Sequence, residues 1–184
     1  MNLEETLKCI GPLNEEAMKV SRKRWDSIAK PLYSLGKLES LLVQIAGITG
    51  SQEIDLSKKA LVPMCADNGV VAEGVTQTGQ EVTAIVAENF LTCETSAAIM
   101  CKSAGADIFP VDIGVAVDTN IINRKIAYGT KNMAVEPAMT REEAIRGLEI
   151  GIAMVKELKD KGYTIIATGE MGIGNTTTSS AVAA

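Results

Sequence analysis

The sequence predicts an α/β fold: a mostly parallel, Rossmann-like sheet with flanking helices, preceded by an amino-terminal helical arm. Two observations point there. Short apolar runs alternate with helix-length amphipathic segments, the pattern of βαβ units. Three of those runs end in polar or glycine-bearing turns, at Asp67-Asn68-Gly69, Asp112-Ile113-Gly114 and Gly169-Glu170. Parallel sheets bind ligands at the carboxyl ends of their strands, so three such turns mark one edge as functional.

The elements follow in order. Residues 14–29 read as a helix, with Asn14 as cap, Glu15 and Glu16 in the first turn and Pro31 just past the end. Residues 37–46 read as a second, with Leu38, Leu41, Leu42 and Ile45 on one face. These helices define an arm over residues 1–56, and the α/β domain takes 57–184. Its first strand is Ala60-Leu61-Val62-Pro63-Met64-Cys65. Helices are expected at 80–92 and 96–104, the latter closed by Gly105. Ile108–Ile113 forms the second strand, and residues 115–138 are loop-rich with a short strand near Lys125–Tyr128. Thr140-Arg141-Glu142-Glu143 is a capping box that opens a helix with Ala144, Leu148, Ile152, Val155 and Leu158 as its apolar stripe. Gly162 stops it, and Tyr163–Thr168 is the third strand.

Composition narrows the function. The net charge is -5 with scattered Lys and Arg, and aromatics make up 3% of the chain. That gives neither a basic stripe nor stacking platforms for nucleic acid. No apolar run approaches the roughly 18 residues of a membrane helix. The start is acidic and lacks a signal-peptide pattern, so a cytoplasmic chain is expected. Cys9, Cys65, Cys93 and Cys101 show no CxxC spacing and read as reduced, buried thiols. There is no histidine, which removes imidazole base chemistry and most zinc sites from this chain. Proton transfer falls to Asp, Glu, Lys, Tyr or Cys.

The most informative segment is Gly169-Glu170-Met171-Gly172-Ile173-Gly174-Asn175-Thr176-Thr177-Thr178. Strand, glycine-rich turn and hydroxyl-rich helix start form a phosphate-binding layout, because open amides and the helix dipole favour an anion. Gly169-x4-Gly174-Asn175-Thr176 nearly matches a Walker A loop, with Asn175 where the phosphate-reaching lysine belongs. A single phosphate remains open to it; a degenerate P-loop phosphotransferase and a non-catalytic nucleotide-binding module are the rival functions. A tight turn with a helix cap is the plain reading. Glu170 would repel a phosphate unless turned aside, or would accept from a ribose hydroxyl. Asp67 and Asp112 either cap turns or face the cleft.

Several segments together resemble one family, the nicotinate-nucleotide–dimethylbenzimidazole phosphoribosyltransferases of cobalamin assembly. Gly-Glu-Met-Gly-Ile-Gly-Asn-Thr-Thr at 169–177 is similar to the family signature. Lys30-Pro31-Leu32-Tyr33-Ser34-Leu35-Gly36-Lys37-Leu38-Glu39 resembles its KPPGSLGRLE arm, and Ala66-Asp67-Asn68-Gly69-Val70 with Glu73-Gly74-Val75 its ADHGVxxEGV stretch. Asn68 departs from the family's His, and Leu32-Tyr33 from Pro-Gly. The resemblance implies transfer of phosphoribosyl from nicotinate mononucleotide to a benzimidazole-type base, with no cofactor. Gly169, Glu170, Gly172, Gly174, Asn175 and Thr176 would line the phosphoribosyl site. Thr78, Val82, Val86 and Asp67 would lie on the base side. The family chain is nearly twice as long and its general-base glutamate lies in the half not matched. The 57–184 domain is therefore expected to be incomplete, with Glu170 the only substitute base; the full-length form is expected to be a homodimer.

Overall fold

The computed structural model describes residues 2–184. The chain divides into two compact units, one of Glu4–Leu56 and one in which the residues up to Leu3 join Ser57–Ala184.

The first unit is helical: α1 (Leu3–Lys8) leads into α2 (Glu15–Ser27) and α3 (Lys37–Thr49). Asn14 caps α2 by accepting from the Ala17 N–H at 2.9 Å. The face of α3 that is buried is Glu39, Val43, Ala46 and Gly47, not the Leu38–Ile45 stripe read from periodicity. Leu38 and Leu41 are more than half exposed. The reason is a buried carboxylate. Glu39 is 1% exposed and pairs with Lys30 Nζ at 2.8 Å and Arg22 at 3.7 Å. It also accepts from the Leu35 N–H at 3.2 Å, which ties down the 30–36 turn where Tyr33 sits at φ 59°. Rotating a leucine stripe inward would expel that ion pair.

The Lys30 ammonium, foremost, holds the Glu39 carboxyl below its ordinary value of 4.5, against an opposing push from burial. A depressed carboxyl contributes stability above the ordinary value and loses it as pH falls through the folded value. Acid titration of this unit's urea midpoint is therefore expected to show a loss below pH 4.5 that Glu39→Gln largely abolishes. An identical acid limb in the variant would contradict the pairing.

The second unit holds the sheet. Its strands are β1 (Lys59–Ala66), β2 (Ala106–Ile108), β3 (Val111–Gly114), β4 (Ile122–Asn123) and β5 (Ile165–Met171), and all pairings are parallel. β1 is central: β5 lies on one side, and β2 then β3 on the other, with β4 outside β3. β2 and β3 are one strand path. Leu61 faces Ile108 and Met64 faces Val111 in the same register, and the break falls at Phe109-Pro110. Pro110 has no N–H to give the ladder, so the single strand expected over 108–113 becomes two. The short strand expected near Lys125–Tyr128 is instead β4, a few residues earlier.

Helices cover both faces. α4 (Glu81–Asn89) and α5 (Ser96–Ala104) lead to one core of Cys65, Ala87, Phe90, Ala98, Val115 and Ile121. α6 (Arg141–Asp160) carries the expected capping box at Thr140 and Glu143 and builds the other core, where Met154 and Leu158 meet Ala60, Val62 and Val111. Its stripe is rotated from the one expected. Leu148 and Val155 are at least half exposed, while Met154 is buried. Gly147, Ile150 and Gly151, each half-buried, share a side of the helix with Met154 and Leu158. α7 (Asn175–Ala183) follows β5 and buries none of its residues.

Candidate functional site

The order β5-β1-β3 sets the three turns singled out in the sequence side by side at the carboxyl edge of the sheet. One boundary differs. β5 stays paired to β1 through Cys65–Met171, so Gly169 and Glu170 are strand residues. The turn is only Gly172-Ile173-Gly174. A Walker-type loop needs the longer Gly169–Gly174 excursion to wrap a polyphosphate, and the strand pairing removes it.

That turn is built on close backbone approach. A Cβ on Gly172 would lie 2.0 Å from the Ala66 carbonyl oxygen, so β5 and β1 can meet here only through glycine. Gly174, at φ 83°, caps α7 in the left-handed region. Both backbone groups of Ile173 are held by side chains: its N–H donates to Thr83 Oγ1 at 3.0 Å, and its C=O accepts from Asn68 Nδ2 at 3.0 Å. The Asn175 N–H turns back to the Gly172 C=O at 3.1 Å, and those of Thr177 and Thr178 reach the Gly174 C=O. The N–H groups of Gly174 and Thr176 find no acceptor among the described residues. Two amides at a helix start, one of them in the buried residue Gly174, are donors awaiting an acceptor.

Glu170 is exposed, and Asn175 Nδ2 donates to its Oε2. Asn175 thus ties the carboxylate to the first residue of α7. Asp67 and Asp112 turn inward instead. Asp67 is 1% exposed; its Oδ2 accepts from the Ala116 N–H at 2.7 Å, while Oδ1 is buried without a partner. Asp112, equally buried, accepts from the Val115 N–H and the Thr119 hydroxyl and pairs with Lys125 Nζ at 3.0 Å. Lys125 also donates to the Val117 C=O at 2.9 Å and lies 4.5 Å from the centre of the Tyr128 ring. These aspartates fasten the 115–128 segment under the site.

Of the residues placed on the base side, Thr78 is exposed on the turn before α4. Val82 and Val86 are half-buried, and Val86 packs against the Cys65–Phe90 core. Sequence reasoning gave no part to Thr83 or Thr178. A buried threonine on the inner face of α4 was the available signal, since a buried hydroxyl needs a partner.

Cys65 is a bystander: burial above all, with the nearby charges of Asp112 and Glu170, pushes its thiol up to about 12, far from a reactive thiolate. None of the four cysteines forms a disulfide among the described residues, and only Cys65 is buried as expected: Cys9 is exposed, and Cys93 and Cys101 are half-buried. Among the described residues no cluster of three or more metal-ligating side chains occurs, and no helix is long and apolar enough to cross a membrane.

A pocket of about 350 Å³ opens beside these turns, between Ala66, Gly114, Tyr128 and Thr130 and the first turns of α6 at Glu143 and Gly147. Its polar groups are engaged: Thr130 Oγ1 accepts from the Gly69 N–H, Glu143 from the Thr140 N–H, and the Tyr128 hydroxyl donates to Asp118. It is an apolar cavity that none of the site residues named from sequence lines.

The family profile described as "Phosphoribosyltransferase" matches residues 10–184. The chain belongs to this phosphoribosyltransferase family. A Clostridium tetani protein named nicotinate-nucleotide–dimethylbenzimidazole phosphoribosyltransferase is 51% identical over 183 residues, covering 98% of this chain and 51% of the relative. A Clostridium acetobutylicum protein of the same name is 51% identical over 186 residues, covering 100% and 53%. A crystal structure bearing that enzyme's name, from Thermus thermophilus, matches with a TM-score of 0.84 and 37% identity, covering 90% of this chain and 51% of that one. The phosphoribosyltransferase-family chain thus spans about half the length of the relatives it matches, and shares their α/β fold.

Proposed function

We propose that this chain supplies the phosphoribosyl-binding part of an enzyme that transfers phosphoribosyl from nicotinate mononucleotide to 5,6-dimethylbenzimidazole or a related base. The products are α-ribazole 5′-phosphate and nicotinate. The base nitrogen attacks C1′, the C1′–nicotinate bond breaks with its electron pair going to the cationic pyridinium nitrogen, and the benzimidazole loses one proton. The protein's task is alignment of nucleophile and C1′, plus acceptance of that proton.

The observation that carries this reading is the pair of unpartnered amides, Gly174 and Thr176, where the central strands end. The 5′-phosphate would accept from them, assisted by the Thr176 hydroxyl and the dipole of α7. Glu170, steadied by Asn175, would face the ribose hydroxyls rather than the phosphate. Gly169 and Gly172 would line the sugar with backbone alone, since both let β5 close on β1. Thr78, Val82 and Val86 would form one wall for a flat, largely apolar base, with Asp67 beneath as support. Glu170 is the one carboxylate at this loop; with Asn175 bound to it, we assign it to sugar positioning, and the proton acceptor to the part of the relatives that this chain does not span. A homodimer is the proposed full-length assembly.

Calorimetric titration with nicotinate mononucleotide tests the loop. Thr176→Ala removes the hydroxyl with its neighbouring methyl and is expected to weaken binding roughly 10- to 150-fold, about 1.5–3 kcal/mol for a hydrogen bond to a charged group. Gly174→Val, which brings a Cβ to 2.9 Å from Val71 Cγ2 at a positive φ, is expected to abolish it. Equal affinity in all three proteins would remove this loop from the site.

A further inference from the structure

We infer that Asn68 and Thr83 are positioning residues for the glycine turn: they hold the two peptide groups on either side of Ile173 and so fix the direction of the open Gly174 N–H, which shares its peptide plane with the Ile173 C=O. This deepens the phosphoribosyl reading above and rests on it.

The geometry is complete at every atom. Ile173 has one donor and one acceptor on its backbone, and neither enters a ladder or a helix. Thr83, fully buried on α4, takes the N–H. Asn68, 9% exposed at the end of β1, gives its Nδ2 to the C=O. The other end of the Asn68 amide accepts from the Thr178 hydroxyl at 3.0 Å, one turn inside α7. The Asn68 backbone C=O is in turn held by Gln80 Nε2 at 3.2 Å and the Val71 N–H at 3.1 Å. A single side chain thus links β1, the turn and α7, while Thr83 links α4 to the preceding peptide of the turn.

The role needs both a donor and an acceptor, which selects the side chain. Asparagine offers both at fixed separation. Without the clamp, the two peptides flanking Ile173 lose their side-chain anchors. The Gly174 N–H, in the same peptide plane as the Ile173 C=O, would then lose its aim. Preorganised donors stabilise an anion because no reorganisation is needed on binding.

The experiment uses two near-isosteric changes, Thr83→Val and Asn68→Leu, with Asn68→His, which keeps one donor and one acceptor when neutral, as the conservative control. Hydrogen exchange at the Ile173 amide reads the clamp without ligand. Affinities for nicotinate mononucleotide and for the phosphate-free nicotinate riboside read its consequence. We expect Thr83→Val and Asn68→Leu to deprotect Ile173 and to weaken the mononucleotide about tenfold while leaving the riboside unchanged, and Asn68→His to restore both. Parallel losses for mononucleotide and riboside would mark a general folding defect and overturn the assignment. So would unaltered mononucleotide affinity despite lost protection, or unaltered Ile173 protection in both Thr83→Val and Asn68→Leu. Failure of the unmodified protein to bind either probe would instead overturn the phosphoribosyl reading, and with it the positioning role.

Discussion

Gly172→Ala is expected to be the most damaging single-methyl change in the sheet unit. Its new Cβ would sit 2.0 Å from the Ala66 carbonyl oxygen and 2.9 Å from Asn68 Nδ2. Neither neighbour can yield cheaply. Ala66 is a paired residue of the central strand, and Asn68 is committed to Ile173 and Thr178. The end of β5 must therefore peel from β1. Overpacking of this kind costs about 1–3 kcal/mol and more where backbone has to move. A loss on the order of 3 kcal/mol corresponds to a drop in Tm of roughly 6–12 °C for a chain of this size. Phosphate-ester binding should vanish in the same variant, because the displaced turn carries the open amides. A thermal melt within a degree or so of the unmodified protein would show that the turn relaxes freely.

Lys125→Met is expected to be comparably severe for a different reason. The Lys125 side chain is 9% exposed and its partner Asp112 is 1% exposed. Removing the cation leaves a carboxylate buried with only the Val115 N–H and the Thr119 hydroxyl. Breaking a buried pair from one side costs about 3–5 kcal/mol. The two remaining donors place the expectation near the lower end, about 3 kcal/mol in urea unfolding. Asp112→Asn combined with Lys125→Met removes both charges and should recover a large part of the loss. A double variant no better than Lys125→Met alone would mean that Lys125 acts by holding the Val117 carbonyl and the Tyr128 ring, not by pairing Asp112.

Much of the fold was legible because it rests on local chemistry. Asn14 and the Thr140–Glu143 box cap the helices that follow them, since a cap satisfies donors a few residues away. Both wrongly drawn helix faces, on α3 and α6, share one cause. Periodicity ranks leucine and valine as buried, yet α3 buries the Glu39 ion pair and α6 buries Met154 beside Leu158. The strand at 108–113 split because Pro110 interrupts a ladder whose partner lies far away in sequence. At the site, Gly172, Gly174 and Asn175 were recognisable from spacing; the Ile173 clamp was not, because Asn68 and Thr83 lie 105 and 90 residues from it.

By itself the sequence determined the class of fold, the capped helices and the presence of a glycine turn between a strand and a helix, all of which follow from residues near one another in the chain. Only the tertiary structure decided that Asp67 and Asp112 turn inward, that Glu170 belongs to a strand tied to Asn175, and that two amides of the turn stay open while Ile173 is held. Those outcomes depend on which distant groups share a low-dielectric interior. There an unpaired charge or peptide costs several kcal/mol, and every other partner is chosen to avoid that cost.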